Sequence, residues 1–578
     1  MEQRWIVDMV PGRRFPAWTR GNAADVFPAP ITPACATIYL AHGLGAGLRD
    51  AYIAFGALDW DEYENPADPE LFKIYGGYLY NPLSLTRLMG ARMPGLTPEL
   101  IDKAFFDDRA DVPPYEAQPW HESARHGERL TASMGWAMTA EALPDLDTDK
   151  AVAERIRDER PDLTALPFSG LLARIRSTVP FLRQAFETGM VVSSLSSIGP
   201  GALQTICDGI GDPTLAIRLL AGIDADSAAP SHAMWALAAE ARRSPVVSAA
   251  FEAGLDDVLA RLASERSPDA LAFLAGFDDL LRRYGSRGPN EWDVIAQTWE
   301  VQPRTALAAI DLMRQSSESQ APALRKAASV VERDRVAADI RSQLAGDAEA
   351  LGTFDAALRS SQLFLSGRER YKTTCIMLVG EIRMALREIG RRMVDAGVID
   401  SIEQIFMLTD DELDHLRHEP DRFRTVIAQR WMRYGELAEI EPVFVVNGHV
   451  PPQSQWLRRS VKTVERAVAG MVLTGAAGSG GVASGRARVV LDPSDPSMLE
   501  PGDVLIAPQT DPSWTPLFVP AAAVIVNVGA MGSHAMIVCR ELGIPCVASV
   551  EDATLRIPDG ATVTVDGNAG TVTIVEIA

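Results

Sequence analysis

Apolar residues recur three and four apart through most of the middle of the chain. The segments PTLAIRLLAGI, SHAMWALAAEARRSPVVSAAFEAGLDDVLARLA and TALAAIDLMRQ carry the helical period, as does KTTCIMLVGEIRMALREIGRRMVDAG, with Gly397 placed as a C-cap. This pattern predicts helices over residues 121–470. Residues 1–120 are instead broken by Pro, Gly and aromatics, as in WTRGNAADVFPAPITP and DWDEYENPADPELFKIYGGYLYNPLSL, so short helices and long loops are expected there. Towards the C-terminus the texture changes to short β-type runs: RARVVL, DVLIAP, AAVIVNV, PCVASV, ATVTVDG and GTVTIVEI, separated by the turn signals PGD, PDG and DGNAG. One helical segment, SHAMIVCRELG, interrupts them, with Ser533 as predicted N-cap and Gly543 closing it. The Gly-, Ala- and Ser-rich residues 471–484 read as a flexible linker. The expected fold is multidomain, α plus α/β: a loop-rich part (1–120), a large mainly helical region (121–470), the linker (471–484) and a compact α/β domain (485–578).

Composition narrows the partners. The 578 residues are 47% hydrophobic and 23% charged, which is ordinary for packed domains, and the net charge is −22. So acidic a chain lacks the basic footprint that nucleic acid or anionic lipid requires. No run approaches the ~20 apolar residues of a membrane span, and MEQRWIVDMVPGRR lacks the layout of a secretory signal. Five scattered cysteines, an odd number, point to reduced thiols and a cytoplasmic setting. No CxxC or HxxxH spacing marks a metal site, and none is expected.

The most informative segment is NVGAMGSHAMIVCRELGIPCV. A short apolar strand runs into a turn of small residues, Gly529 to Gly532, and Ser533 and His534 open a helix. Free N–H groups and the dipole at a helix start attract anions, and the same positive end disfavours imidazolium. A neutral, nucleophilic His534 beside Gly532 and Ser533 is therefore a candidate phosphohistidine, the competing reading being a histidine that only caps or packs locally.

These residues resemble the swivelling phosphohistidine domain shared by phosphoenolpyruvate synthase, pyruvate phosphate dikinase and rifampin phosphotransferase. The pattern is Gly529, Ser533-His534-Ala535, Ile537-Val538 and Arg540-Glu541-Leu542-Gly543-Ile544-Pro545, joined upstream by Thr510-Asp511-Pro512-Ser513-Trp514-Thr515-Pro516-Leu517-Phe518. Ala530 stands where a second glycine is common and Cys539 where Ala is usual. The resemblance implies that His534 carries a phosphoryl group and that Thr510 touches it. Residues 475–578 contain four Arg, no Lys and eleven Asp or Glu, a net of −7. Side-chain cations for the phosphoryl group must then come from another domain.

In SGRERYKTTCIMLVGEIRMALREIGRRM, Arg368 and Lys372 lie four apart on one helix face and Arg383 three turns beyond Lys372. Solvated surface cations are the plain alternative. Yet the segment resembles the substrate-binding domain of rifampin phosphotransferase, where an Arg and a Lys in this relation assist transfer. That role passes to Arg368 and Lys372, with Arg383 as a further phosphoryl ligand. RRYGSRGPNEWDV resembles the same domain, and so does the opening WTRGNAADVFPAPITP. Arg287 and Glu291 are either a structural ion pair or part of the site. Glu291 or Asp293 is a candidate base for a hydroxyl proton, and Arg287 and Asp293 are candidate substrate ligands.

No GxxxxGK[ST] phosphate loop occurs. The expectation is a separate ATP-grasp subunit that holds ATP and Mg²⁺ and loads His534, as in phenylphosphate synthase and related alkylphenol-phosphorylating systems. The chain is thus expected to be a dikinase-type phosphotransferase subunit acting on a small, phenolic hydroxyl. A rifampin-type antibiotic phosphotransferase component and a non-catalytic phosphohistidine-gated regulator stand as alternatives.

Overall fold

A 28-residue helix, Phe168–Leu195, runs with Pro180 in its interior, and the Ala46–Ala54 helix lies close against it. The approach needs Gly47: a Cβ there would meet the Arg183 carbonyl at 2.6 Å. The computed structural model describes residues 4–577 apart from 66–70, 107–108, 110–111, 460–463, 494–498 and 530–532. It divides into two units, one of Met1–Leu195, Trp292–Ala296 and Tyr371–Lys462, the other of Ser196–Glu291, Gln297–Arg370 and Thr463–Ala578. The division does not follow the expected segments, because both 1–120 and part of 121–470 fold into the first unit.

The first unit is helical, with three two-stranded antiparallel pairs: β1 (Ala17–Thr19) with β5 (Val445–Asn447), β2 (Lys73–Tyr75) with β3 (Tyr78–Tyr80), and β4 (Ile440–Glu441) with β6 (Leu457–Arg458). Of the aromatics in the opening segment, Trp60 is exposed and stacks under Arg49. Trp18, Tyr39, Tyr75, Tyr78 and Tyr80 are all buried, and the Tyr78 and Tyr80 hydroxyls donate to the Leu437 and Val443 carbonyls at 2.7 Å. A buried carboxylate, Glu381, is held by Arg157 at 3.3 Å, Arg160 at 2.9 Å and Arg174 at 2.6 Å.

The second unit joins helices to an eight-stranded sheet. The strands are β7 (Val472–Thr474), β8 (Ala476–Ser479), β9 (Val482–Val489), β10 (Val504–Ala507), β11 (Ala523–Val526), β12 (Cys546–Ala548), β13 (Thr562–Asp566) and β14 (Thr571–Glu576), in the order β7-β14-β13-β9-β10-β11-β12-β8. β9 to β12 pair in parallel, and β10, β11 and β12 are buried along their whole length, which is why they read as unbroken apolar runs. β13 and β14 alternate buried and half-buried positions, as a one-sided antiparallel hairpin should. One apolar core lies between a sheet face and the helices Ala229–Arg243, Pro268–Tyr284 and Pro303–Gln315, and a second covers the other face.

The linker expected at 471–484 is corrected here: it forms β7, β8 and the start of β9. Its small residues serve close packing. A Cβ on Gly475 would meet the Ala548 carbonyl at 2.3 Å, and Gly475 N–H donates to the Gly570 carbonyl at 2.8 Å.

Candidate phosphohistidine site

The site begins where β11 ends. The chain runs from Val526 to Gly529, and the helix His534–Leu542 follows with every residue after His534 buried. Gly529 is required by its surroundings, since a Cβ there would meet Ser533 Oγ at 2.9 Å and Ala548 Cβ at 3.0 Å. The helix closes on Gly543 in the left-handed conformation, as its sequence predicts. Ser533 has the backbone of an N-cap, φ −69° and ψ 156°, but makes no cap hydrogen bond, and its buried Oγ has no partner among the described residues. Gly532 lies outside the described residues.

The His534 ring is half-buried and contacted at both nitrogens. Thr510 Oγ1 stands 3.0 Å from Nδ1, and Thr515 Oγ1 stands 3.0 Å from Nε2. Phe518 tilts against the ring, with centroids 5.9 Å apart. A neutral imidazole has one N–H and one lone pair, so two hydroxyls, each able to donate or accept, can satisfy either tautomer. Both threonines come from the Thr510–Phe518 segment, whose short helix Thr515–Phe518 is buried throughout. Thr510 was expected beside His534. Thr515 was missed, although it stands in the same matching stretch as the residue opening that helix.

Next to Thr510, Asp511 Oδ1 accepts the Ser513 backbone N–H at 2.8 Å and the Ser513 hydroxyl. Desolvation, together with the negative charge of Glu291, pushes the Asp511 carboxyl up to about 7; the Ser513 hydrogen bonds and the Arg287 charge oppose this. Arg287 and Glu291 thus lie within electrostatic reach of this loop. They form a buried ion pair, Nη1 to Oε1 at 2.7 Å, with Glu291 Oε2 also accepting Gly288 N–H at 3.3 Å.

The other expected residues fall elsewhere. Asp293 and Arg383 belong to the first unit. The Asp293 carboxylate accepts Thr32 Oγ1 at 2.7 Å, Thr32 N–H at 3.0 Å and Ile295 N–H at 3.2 Å, and Arg383 Nη2 donates to the Asp293 carbonyl at 3.0 Å. Burial raises the Asp293 carboxyl, with these hydrogen bonds opposing. Arg383 is fully enclosed, as a core cation and not an exposed one. Arg368 and Lys372 lie four apart on the Ala348–Asp395 helix, both half-buried, and Arg368 Nε is a buried donor with no hydrogen-bond partner among the described residues.

On the histidine helix two turns beyond His534, Glu541 lines a cleft of about 490 Å³ with Asp224, His232 and Lys326. Burial pushes its carboxyl up to about 8; Lys326 opposes this, while Asp224 and Glu369 add to it. In the first unit Asp59, Glu62 and His126 cluster with ligand-like spacing. Their carboxylates are already bound by Arg129 at 2.7 Å and Arg92 at 3.0 Å, and a dication there would meet those guanidinium groups.

The α/β domain, parallel over β9 to β12, thus presents a histidine at a helix start, clasped by two hydroxyls. Residues 499–570 match the mobile domain of the PEP-utilising enzymes, and residues 188–369 match the rifampicin phosphotransferase fourth domain. Over these two stretches the chain is similar to the PEP-utilising enzymes and to rifampicin phosphotransferase. It is 29% identical over 584 aligned residues to an uncharacterized protein of Mycobacterium tuberculosis, covering 98% of this chain and 62% of that one. It is 30% identical over 340 residues to the rifampicin phosphotransferase of Streptomyces sviceus (56% of this chain, 37% of that one). It is 33% identical over 210 residues to an uncharacterized phosphotransferase of Bacillus subtilis (34% and 24%). The chain therefore spans less than two thirds of the length of these relatives. Among the described residues, no helix is long and apolar enough to cross a membrane.

Proposed function

We propose that the chain is a phosphotransferase component that carries a phosphoryl group on His534 and passes it to a hydroxyl of a small molecule. The observation that carries this reading is the Thr510–His534–Thr515 clasp inside the matched mobile domain. The imidazole is oriented by these contacts and half-exposed. The domain's net charge of −7 fits a carrier that receives its cations elsewhere, and the unpartnered Nε of Arg368 fits a guanidinium awaiting an anion. Lys372 acts with it in this reading. Transfer asks mostly for positioning and charge, little for covalent help from the protein.

The phosphoryl group comes from ATP bound with Mg²⁺ on a separate ATP-grasp subunit, which releases AMP and phosphate on loading His534. Two acceptors follow from two resemblances. A phenolic acceptor rests on the likeness to alkylphenol-phosphorylating subunits. A rifampicin-type acceptor is favoured by the match over residues 188–369. Incubating the chain with an ATP-grasp partner, ATP and either phenol or rifampicin, reading AMP and the phosphorylated acceptor, tests both. A His534→Asn protein that turns over normally sinks the reading. AMP formation without any phosphorylated acceptor favours a phosphohistidine-gated regulator.

A further inference from the structure

Transfer from phosphohistidine to a hydroxyl needs a place for the hydroxyl proton, and the candidate carboxylates of the chain are not equivalent. Glu291 is committed, one oxygen to Arg287 at 2.7 Å and the other to Gly288 N–H. Asp293 is fully buried, and both its oxygens are taken by Thr32, one of them also by Ile295. Glu541 lies two turns down the histidine helix, where the Ala225 backbone binds its carboxylate. Asp511 differs from all three. It follows Thr510, whose hydroxyl touches His534 Nδ1, and Ser513 fixes its Oδ1 through both backbone and side chain. Its Oδ2 makes no hydrogen bond among the described residues. The hydroxyls beside the ring, Thr510 and Thr515, are too weakly basic to hold a proton at neutral pH.

We propose that Asp511 Oδ2 is the base that takes the proton of the acceptor hydroxyl as the phosphoryl group leaves His534. The inference rests on the phosphohistidine reading above. In the step, the acceptor oxygen's lone pair forms the P–O bond while its proton passes to Asp511. The P–N bond breaks with its electron pair returning to the imidazole, which is left neutral because its other nitrogen carries a proton. Asp511 afterwards releases its proton to water. The groups facing Asp511 suit the task. Desolvation by burial, with the Glu291 charge added, raises the carboxyl into the neutral range, where a base is most effective, and Arg287 keeps the negative charge tolerable beside a phosphoryl group.

The experiment uses water as the acceptor, since water is always present. The full chain is loaded on histidine with potassium phosphoramidate, and loss of phosphate per phosphohistidine is followed from pH 5 to 9. The parent protein is expected to show a hydrolytic component that rises through pH 7. Asp511→Asn should lose that rise, match the parent near pH 5, where Asp511 is already protonated, and run about tenfold slower or more at pH 8. Asp511→Glu, which keeps a carboxylate, should restore part of the rise, and a purely structural role would not predict this. Equal rates at pH 8, or a surviving rise in Asp511→Asn, overturn the assignment. Failure of phosphoramidate to place phosphate on His534 in the parent overturns the phosphohistidine reading itself, and the inference with it.

Discussion

Thr515 Oγ1 stands 3.0 Å from Nε2 of His534, and Thr515 is itself completely enclosed. A buried hydroxyl with one partner fixes that partner's orientation, because any other ring position would leave it unpaired. Thr515→Val keeps the shape and removes the hydroxyl. We expect the rate of histidine phosphorylation by phosphoramidate to fall about fivefold to tenfold, the worth of one net hydrogen bond. Quantifying acid-labile, base-stable phosphate on His534 checks this, and an unchanged rate would show that Nε2 needs no partner.

Glu541 gives a pH-dependent prediction. Its folded-state carboxyl titrates at about 8, above the ordinary 4.5, so the folded state holds a proton that the unfolded state loses between those values. The favourable contribution of the neutral carboxyl is complete below pH 4.5 and is lost as pH rises through about 8. Glu541→Gln imitates the neutral form. Its melting temperature should equal the parent's near pH 4.5 and exceed it by several degrees at pH 8.5. Differential scanning calorimetry at the two pH values decides; a constant difference would refute the raised carboxyl.

The buried Arg287–Glu291 pair should behave as paired buried charges do. Arg287→Met alone leaves a carboxylate stranded and should destabilise by about 3–5 kcal/mol. Arg287→Met with Glu291→Leu should recover most of that loss. Urea unfolding of both proteins supplies the comparison. If the double variant is as unstable as the single, the pair contributes more than mutual neutralisation.

Residues 471–484 should be ordered. The Gly475 amide, bonded to the Gly570 carbonyl, is expected to be strongly protected from hydrogen exchange. Gly567→Ala should abolish that protection, because its Cβ would meet the Ser479 carbonyl at 1.8 Å. Rapid exchange of Gly475 in the parent protein would restore the linker description.

Much of the second unit is legible in the chain. The runs within β10 to β14 are recognisable because their residues are buried on one or both faces, and burial leaves apolar alternation or unbroken apolar runs. The histidine helix announces both ends, Ser533 and Gly543. β7 and β8 are invisible because Gly475, Gly478 and their neighbours carry almost no side-chain pattern. They are strands because β14 and β12 are there to pair with, and the close backbone contacts admit no Cβ. Thr515 was overlooked for a related reason: a threonine before proline has no distinctive signature until a ring nitrogen is placed against it.

The amino-acid order alone determined that His534 opens a helix, that its domain is too acidic to neutralise a phosphoryl group, and that strands surround it, since these depend on composition and local periodicity. Only the tertiary structure decided which groups meet. It put Thr515 on Nε2 and set Asp511 within reach of the Arg287–Glu291 pair, while enclosing Asp293 and Arg383 with Thr32 in the first unit. Hydrogen bonds and charge interactions act over a few ångströms, and residues more than two hundred positions apart come within that range only through the packing of the whole unit.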